Sequence, residues 1–583
     1  MYPYFLFSVM LPNYKKLIYS LLFVVLFSTS IGLAHFFNTG AGKVVTENVT
    51  INGPHGEING WLYRPNPKFF LPISDYYPAV LLIHGVMNAK ETMSAMALEL
   101  AREGIVALTL DATGHGNSDG AIEGISDPSL GGDAALTYLK SLGYVNESKL
   151  CVVGHSMGVG AIRAASFNHG NIKAHVFIGG LSASANSSIY GELNTLTPSN
   201  LLVAIGKYDE LFDMEQVKLE LQTVFGTSEE VVVNQLYGSW SNFTARKLII
   251  PPTTHLFEPI SRIAKESVDW IRTTFLMPNL TKSLLFPIRD IFLFIGFCSF
   301  IGLIIPLYNG INLLPKFFQK KKEEENIQLD FSLWKVGLIW GGALLVLFVP
   351  AVLLFGFGDS FIPLDLGTTA IFWMILLSIT GMIMVFVAFK RKNKESTVKE
   401  IAKGVLSYIS NWRNYLLALG IFIVLFGVVM LTELIPGISL KMFVPLLSNF
   451  TGIRFLMFLL LVPFMFIFFI FDGLITAGNY NRIRKGDTDR EKFKALVKIT
   501  AIKISFLVLV LLVQYIPLFA FNFRILTGFL GFSMQFIIML VPLFIAYCIV
   551  TIFFYEKTGS LETSALINTL FLAWTLSTLL PIR

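Results

Sequence analysis

The stretch "KLCVVGHSMGVGAIRAA" (residues 149–165) decides the fold. It opens with an apolar run that reads as a buried strand and stops at Gly154. Ser156 follows at the tip of a tight turn between Gly154 and Gly158, and the small residues after it read as a helix. A serine held between a strand and the start of a helix has its hydroxyl exposed and free backbone N–H groups beside it. Negative charge developing there is stabilised. Gly-x-Ser-x-Gly alone is a weak signal; with a strand before it and a helix after it, it reads as a nucleophile elbow.

Working outward, residues 44–276 alternate between strand-like and helix-like segments. "KVVTENVTI" and "EINGWLYRP" open as a pair of strands. "AVLLI" (79–83), "IVALTL" (105–110), "KLCVVG" (149–154), "AHVFIG" (174–179), "LLVAIG" (201–206) and "ARKLIIP" (245–251) follow. Helices are predicted over 90–103, 131–142 and 259–275, besides the one after Ser156. Continuous apolar strands separated by helices imply a mostly parallel sheet covered on both faces. Together with the nucleophile elbow, this pattern resembles the α/β-hydrolase fold, here with eight strands.

A serine nucleophile needs a base, and the base an acid to orient it. In this fold the chain order is Ser, acid, His. His169, His175 and His255 follow Ser156. His169 ends a helix and His175 starts a strand, so His255, on the loop after the last strand, is the expected base. Asp209, just past "LLVAIG", is the expected acid, with Asp213, Glu210 and Glu258 as alternatives. The oxyanion donors are expected to be the backbone N–H groups of Met157, after the nucleophile, and Val86, in the loop after the third strand. His84 is read as structuring that loop.

In order along the chain, "LLIHGVMNAKET", "LTLDATGHGNSDG", "VVGHSMGVGA", "IGKYDELF" and "TTHLFEP" resemble the α/β-hydrolase superfamily, in its dienelactone-hydrolase-like and serine-aminopeptidase-like branches. The resemblance covers about 44–276. It implies hydrolysis of esters, thioesters, lactones or peptides with no metal or organic cofactor. The pattern departs at the cap: only 179–199 is available there, too short for a large helical lid. Segment 214–244 is longer than a simple crossover and leaves room for a local flap.

The rest of the chain is different. The whole is 54% hydrophobic and 14% charged, with net charge +6. Acidic residues outnumber basic ones within 44–276, so the positive excess lies outside it, which speaks against a nucleic-acid partner for that segment. Apolar runs long enough to cross a bilayer occur at 17–37, as an anchor or a signal segment after Lys15-Lys16. Eight more follow at 291–314, 333–357, 366–389, 415–435, 455–475, 501–523, 526–554 and 562–581. The expected organisation is an N-terminal membrane segment (1–43), a hydrolase domain (44–276) and a polytopic domain of about eight transmembrane helices (277–583). Loops 315–326, 390–404 and 482–498 are rich in Lys and Arg, and the alternate loops are not. The positive-inside rule therefore makes the former cytoplasmic and the hydrolase extracytoplasmic. All six Asn-x-Ser/Thr sequons, at Asn48, Asn146, Asn186, Asn242, Asn279 and Asn449, fall on the outer side of that scheme. Cys151 is read as a core residue, and Cys298 and Cys548 lie in apolar spans, so no disulfide framework is expected.

The functional expectation is a membrane-tethered serine hydrolase at the outer face, acting on an acyl-ester, lipid-linked or peptide substrate. Two alternatives stand beside it: a transporter or assembly protein with an accessory hydrolase domain, and an acyltransferase using the same triad. The eight later spans carry no histidine, and Asp472 reads as an acid near the interface. The sequence leaves the oligomeric state open.

Overall fold

The structure is a computed structural model describing residues 13–69, 76–122, 126–181, 186–277, 283–311, 333–355, 362–392, 394–441, 447–450 and 452–583. The loop 315–326, Asp359 and Asn279 lie outside these residues.

The first part is built on a nine-stranded sheet in the order β1-β2-β4-β3-β5-β6-β7-β9-β8. The strands are β1 (Val44–Gly53), β2 (Gly56–Pro65), β3 (Tyr77–Ile83), β4 (Val106–Leu110), β5 (Val145–His155), β6 (Ile172–Ile178), β7 (Leu201–Ala204), β8 (Leu236–Tyr237) and β9 (Arg246–Ile249). β1 and β2 form an antiparallel hairpin, and β2 pairs antiparallel with β4. From β4 through β3, β5, β6 and β7 to β9 every pairing is parallel. The eight expected strands are present. The ninth, β8, is two residues long and pairs antiparallel with β9. It falls in segment 214–244, which folds as the helix Met214–Phe225 followed by this edge strand.

The apolar runs are continuous because both faces of the sheet are covered. Side chains alternate across a strand, so Leu81, Ile83 and Val152 join one buried cluster with Leu136, Ile162 and Leu221. Val80, Leu82, Cys151 and Val153 join a second cluster on the opposite face with Leu98, Ile263 and Ile271. Each such side chain contributes about 1.5–3 kcal/mol on full burial. The first face is covered by helices Gly132–Ser141, Met157–His169 and Met214–Phe225, the second by Ser94–Arg102 and Arg262–Thr274. The carboxyl ends of β3, β5, β7 and β9 share one edge, where ligands of open parallel sheets bind.

The remaining chain is helical. Among the described residues, eight helical segments are long and apolar enough to cross a membrane, one of them Leu17–Asn38 and seven after the sheet. The eighth expected C-terminal span is the helix Glu562–Leu579, which is more polar and is nearly all buried among its neighbours. Two basic segments read as loops are largely helical instead. Helices Gly367–Lys392 and Val398–Ser407 take up much of 390–404, and Asp489–Phe521 begins within 482–498. Gly367–Lys392 and Asp489–Phe521 thus each carry lysines and arginines at one end of a long apolar helix.

Asp472, read from the sequence as an acid near the interface, has buried partners. It is fully buried in the bundle, with Lys503 Nζ 2.7 Å from Oδ1 and Trp340 Nε1 donating to the same oxygen at 2.9 Å. Lys503 also donates to Thr476 at 3.0 Å. Both charges are therefore paired and hydrogen-bonded, the condition under which burial is tolerated. The group ties three helical segments together.

Candidate active site

Ser156 stands at the end of β5 with φ +53° and ψ −117°. A non-glycine residue in this region costs on the order of 1–3 kcal/mol and persists only where its surroundings fix it. The two flanking glycines do so. A Cβ at Gly154 would collide with the Gly158 carbonyl, and one at Gly158 with the Ile83 carbonyl. The turn is thus pressed against β3 and the helix Met157–His169, and the Ser156 N–H donates to Ile178 O at 2.8 Å. Met157 opens the helix. The loop carrying Val86 passes close by: a Cβ on Gly85 would lie 3.0 Å from Ser156 Cβ and 3.1 Å from His155 Nδ1. His84 ties this loop down, since its Nε2 accepts from Ala112 N at 3.0 Å and its Nδ1 lies 2.7 Å from Gly85 O.

Asp209 and His255 meet because the pairing of β7 with β9 continues past the strand ends. Lys207 N donates to Pro251 O at 2.7 Å and Tyr208 N to Thr253 O at 3.0 Å. The two loops therefore leave the sheet side by side. His255 Nδ1 lies 2.7 Å from Asp209 Oδ2, with both residues buried. Leu211 N donates to the other carboxylate oxygen at 2.7 Å. Burial pulls the His255 imidazole toward its neutral form, but the Asp209 carboxylate outweighs it and the pKa is raised above the ordinary histidine value. Asp209 is thus the carboxylate in contact with the His255 imidazole.

The alternative acids have other places. Asp213 caps the helix Met214–Phe225 through Glu215 N and Gln216 N. Glu210 accepts from the His255 backbone N–H at 3.2 Å. Glu258 is fully buried, and its Oε1 accepts from Gly206 N at 2.5 Å. Burial and the nearby Asp209 charge push the Glu258 carboxyl well above its usual range. His155, the residue between Gly154 and Ser156, was not singled out from sequence. Its ring is 4.9 Å from that of His255 and its Nε2 is 3.4 Å from Glu258 Oε2. Burial holds its pKa well below the ordinary value. His169 and His175 are anchored elsewhere, facing Asp133 O at 3.1 Å and Ser199 O at 3.0 Å.

His155, His255 and Glu258 are the group among the described residues that can hold a metal ion, with ligand atoms within 4.8 Å of one another. His255 Nδ1 of this group is already engaged by Asp209 at 2.7 Å.

The helical part docks on this edge of the sheet. Tyr515 OH donates to Glu210, and Arg524 Nε donates to Asp209 O at 2.8 Å. Arg454 Nη2 donates to Gly114 O at 2.9 Å, and Asn117 meets Ser448 at 3.2 Å. Val86 and Met87 pack into the apolar cluster of the helical bundle. A cavity between the two parts is lined by Asn88, Glu91 and Leu256 from one side and Gly437, Ser439 and Lys441 from the other. Sequence reading had no signal for these contacts: Tyr515 and Arg524 sit about 300 residues from Asp209 along the chain.

Residues 76–235 match the family described as serine aminopeptidase, S33. A protein of Escherichia coli (strain K12), the uncharacterized protein YcjY, is 31% identical over 143 residues, which are 24% of this chain and 45% of that one. The chain thus aligns with less than half the length of that relative. A PEG-bound cold-adapted esterase from an Arctic intertidal metagenomic library is 18% identical, covering 40% of this chain and 94% of its own, with a TM-score of 0.28. A putative alpha/beta hydrolase from Agrobacterium tumefaciens is 15% identical, covering 41% and 100%, with a TM-score of 0.32. The parallel sheet with its serine turn and the family match over 76–235 together identify this part of the chain as an α/β-hydrolase domain.

Proposed function

We propose that the chain is a membrane-tethered serine hydrolase that works by acyl transfer, with Ser156 as nucleophile, His255 as base and Asp209 as orienting acid. The observation that carries this reading is the buried His255–Asp209 contact at 2.7 Å on the same sheet edge as the strained Ser156 turn. His255 takes the Ser156 proton as Oγ attacks the substrate carbonyl. The N–H groups of Met157 and Val86 hold the oxyanion, and the imidazolium is stabilised by Asp209. Collapse of the intermediate expels the alcohol, thiol or amine, which leaves with the proton from His255. Water then attacks the acyl-enzyme with His255 again as base, releasing the acid and restoring Ser156.

The domain division at about 43 and 276 follows from the change between sheet-forming and bilayer-length segments. An extracytoplasmic position for the hydrolase is supported by the ends of the helices that it touches. Ser448 and Arg524 belong to connections poor in Lys and Arg, Arg454 opens the helix after one of them and Ile582 follows the last helix, whereas Arg484 and Lys492 pair with Glu556 away from the sheet.

The test is labelling by a fluorophosphonate probe. Full-length protein should be labelled at Ser156, and both Ser156→Ala and His255→Ala should abolish it. Labelling that survives Ser156→Ala would remove the assignment.

A further inference from the structure

The helix Asp489–Phe521 exposes Leu509, Leu512, Val513, Ile516 and Phe519. Steps of three and four place these side chains on one helical face. No part of the described protein covers that face, and on a helix long and apolar enough to span a membrane it faces acyl chains.

The stripe runs up to the candidate active site. Phe519 packs edge-on against Tyr208, with ring centroids 4.8 Å apart, and Tyr208 is the neighbour of Asp209. Beyond Phe519, the turn into the next helix exposes Phe521, Phe523 and Ile525, at 78%, 61% and 46%. Tyr515 of the helix and Arg524 of this turn both hold the acid loop. The next helix also comes so close at Gly531 that a Cβ there would lie 2.9 Å from Glu210 O. The lipid-facing surface of a membrane helix therefore ends on the residues that hold the catalytic histidine's partner.

We propose that the substrate is an acyl ester resident in the bilayer leaflet on the hydrolase side, its acyl chain approaching Ser156 along this face. The proposal rests on the serine-hydrolase reading above and deepens it by naming the substrate class. A chain passing through water would expose every methylene. An apolar face continuous with the bilayer spares it that exposure. The helical part thereby takes the place of the cap that the segment after β6 is too short to form.

The experiment uses full-length protein in phosphatidylcholine vesicles. Two substrates with the same fluorogenic leaving group are compared, a long-chain acyl ester embedded in the bilayer and a water-soluble butyrate ester. For Phe521→Ser/Phe523→Ser, the ratio of the embedded-ester rate to the soluble-ester rate is expected to fall at least tenfold. An unchanged ratio overturns the proposal. Fluorophosphonate labelling of the variant reports an intact serine site. If the double variant is not labelled, Phe521→Trp replaces it: brominated acyl chains should quench that tryptophan, and absence of quenching overturns the proposal. Failure of the underlying reading looks different, since the unaltered protein would then neither label at Ser156 nor turn over either ester.

Discussion

Replacing Asp209 by Asn tests which of three neighbouring carboxyl groups serves the histidine. The change keeps the shape and removes one charge. In the unaltered protein the imidazolium formed during acyl transfer faces that charge at 2.7 Å, Nδ1 to Oδ2, with both side chains buried. Taking the charge centres as about 4 Å apart, with an effective dielectric of about 20, the attraction is about 4 kcal/mol. At about 1.4 kcal/mol per factor of ten in rate, that is about three powers of ten. The Asn amide adds a second cost by presenting an N–H to Nδ1, which favours the wrong tautomer, so the full loss should reach about 10⁴-fold. The assay is kcat/KM on a soluble short-chain ester by full-length protein in detergent, with the rate of fluorophosphonate labelling as a parallel readout. Glu258→Gln is the control: it leaves the Asp209–His255 contact in place, and the amide oxygen can still accept from Gly206 N. A loss below tenfold for Asp209→Asn, or an equal loss for Glu258→Gln, would refute the reasoning.

The acidic limb of the pH–rate profile should have its midpoint above 6.5, because catalysis needs neutral His255 and the pKa of this group is raised. Activity therefore climbs as pH rises through that value, and in Asp209→Asn the midpoint should move down; a profile measured on both proteins checks this. For sidedness, a cysteine in place of Ser126 should react with a membrane-impermeant maleimide in intact cells, whereas one in place of Gln319 should react only after permeabilisation. The reverse pattern would invert the topology.

The hydrolase part was legible because its signals are local. Strand, turn and helix around Ser156 each leave their own pattern, and the order of Asp209 and His255 follows from strands whose apolar runs can be read one at a time. β8 escaped because two residues have no periodicity. His155 escaped because only its one-residue offset from Ser156 marks it, and the burial of Glu258, named only as a candidate acid, leaves no mark in sequence. The Asp472–Lys503 pair was missed for a related reason: each residue lies toward the polar end of its own span, and only packing brings them together. The docking of the bundle on the acid loop links segments about 300 residues apart and has no counterpart in any short window.

The helix Glu562–Leu579 shows how the two parts are joined. It is too polar to face lipid unaided, yet its ends lie at opposite faces of the bundle. Glu562 accepts from Asn411 N at 2.8 Å, on the side of the basic segments. Just past its other end, Ile582 N donates to Gly114 O at 2.8 Å and Ile582 O accepts from Ile122 N at 2.8 Å, on the loop after β4. Its 18 residues rise about 27 Å, close to the thickness of the hydrocarbon core. It therefore runs the depth of the bundle while other helices shield its polar side chains from lipid. Arg454 completes the joint, donating to Ser577 O and Leu580 O as well as to Gly114 O. A single anchoring helix would leave the hydrolase free to turn on its linker. These contacts, with those of Tyr515 and Arg524, fix the edge carrying Ser156, Asp209 and His255 against the bundle. That arrangement gives a polytopic domain a role that tethering alone does not require.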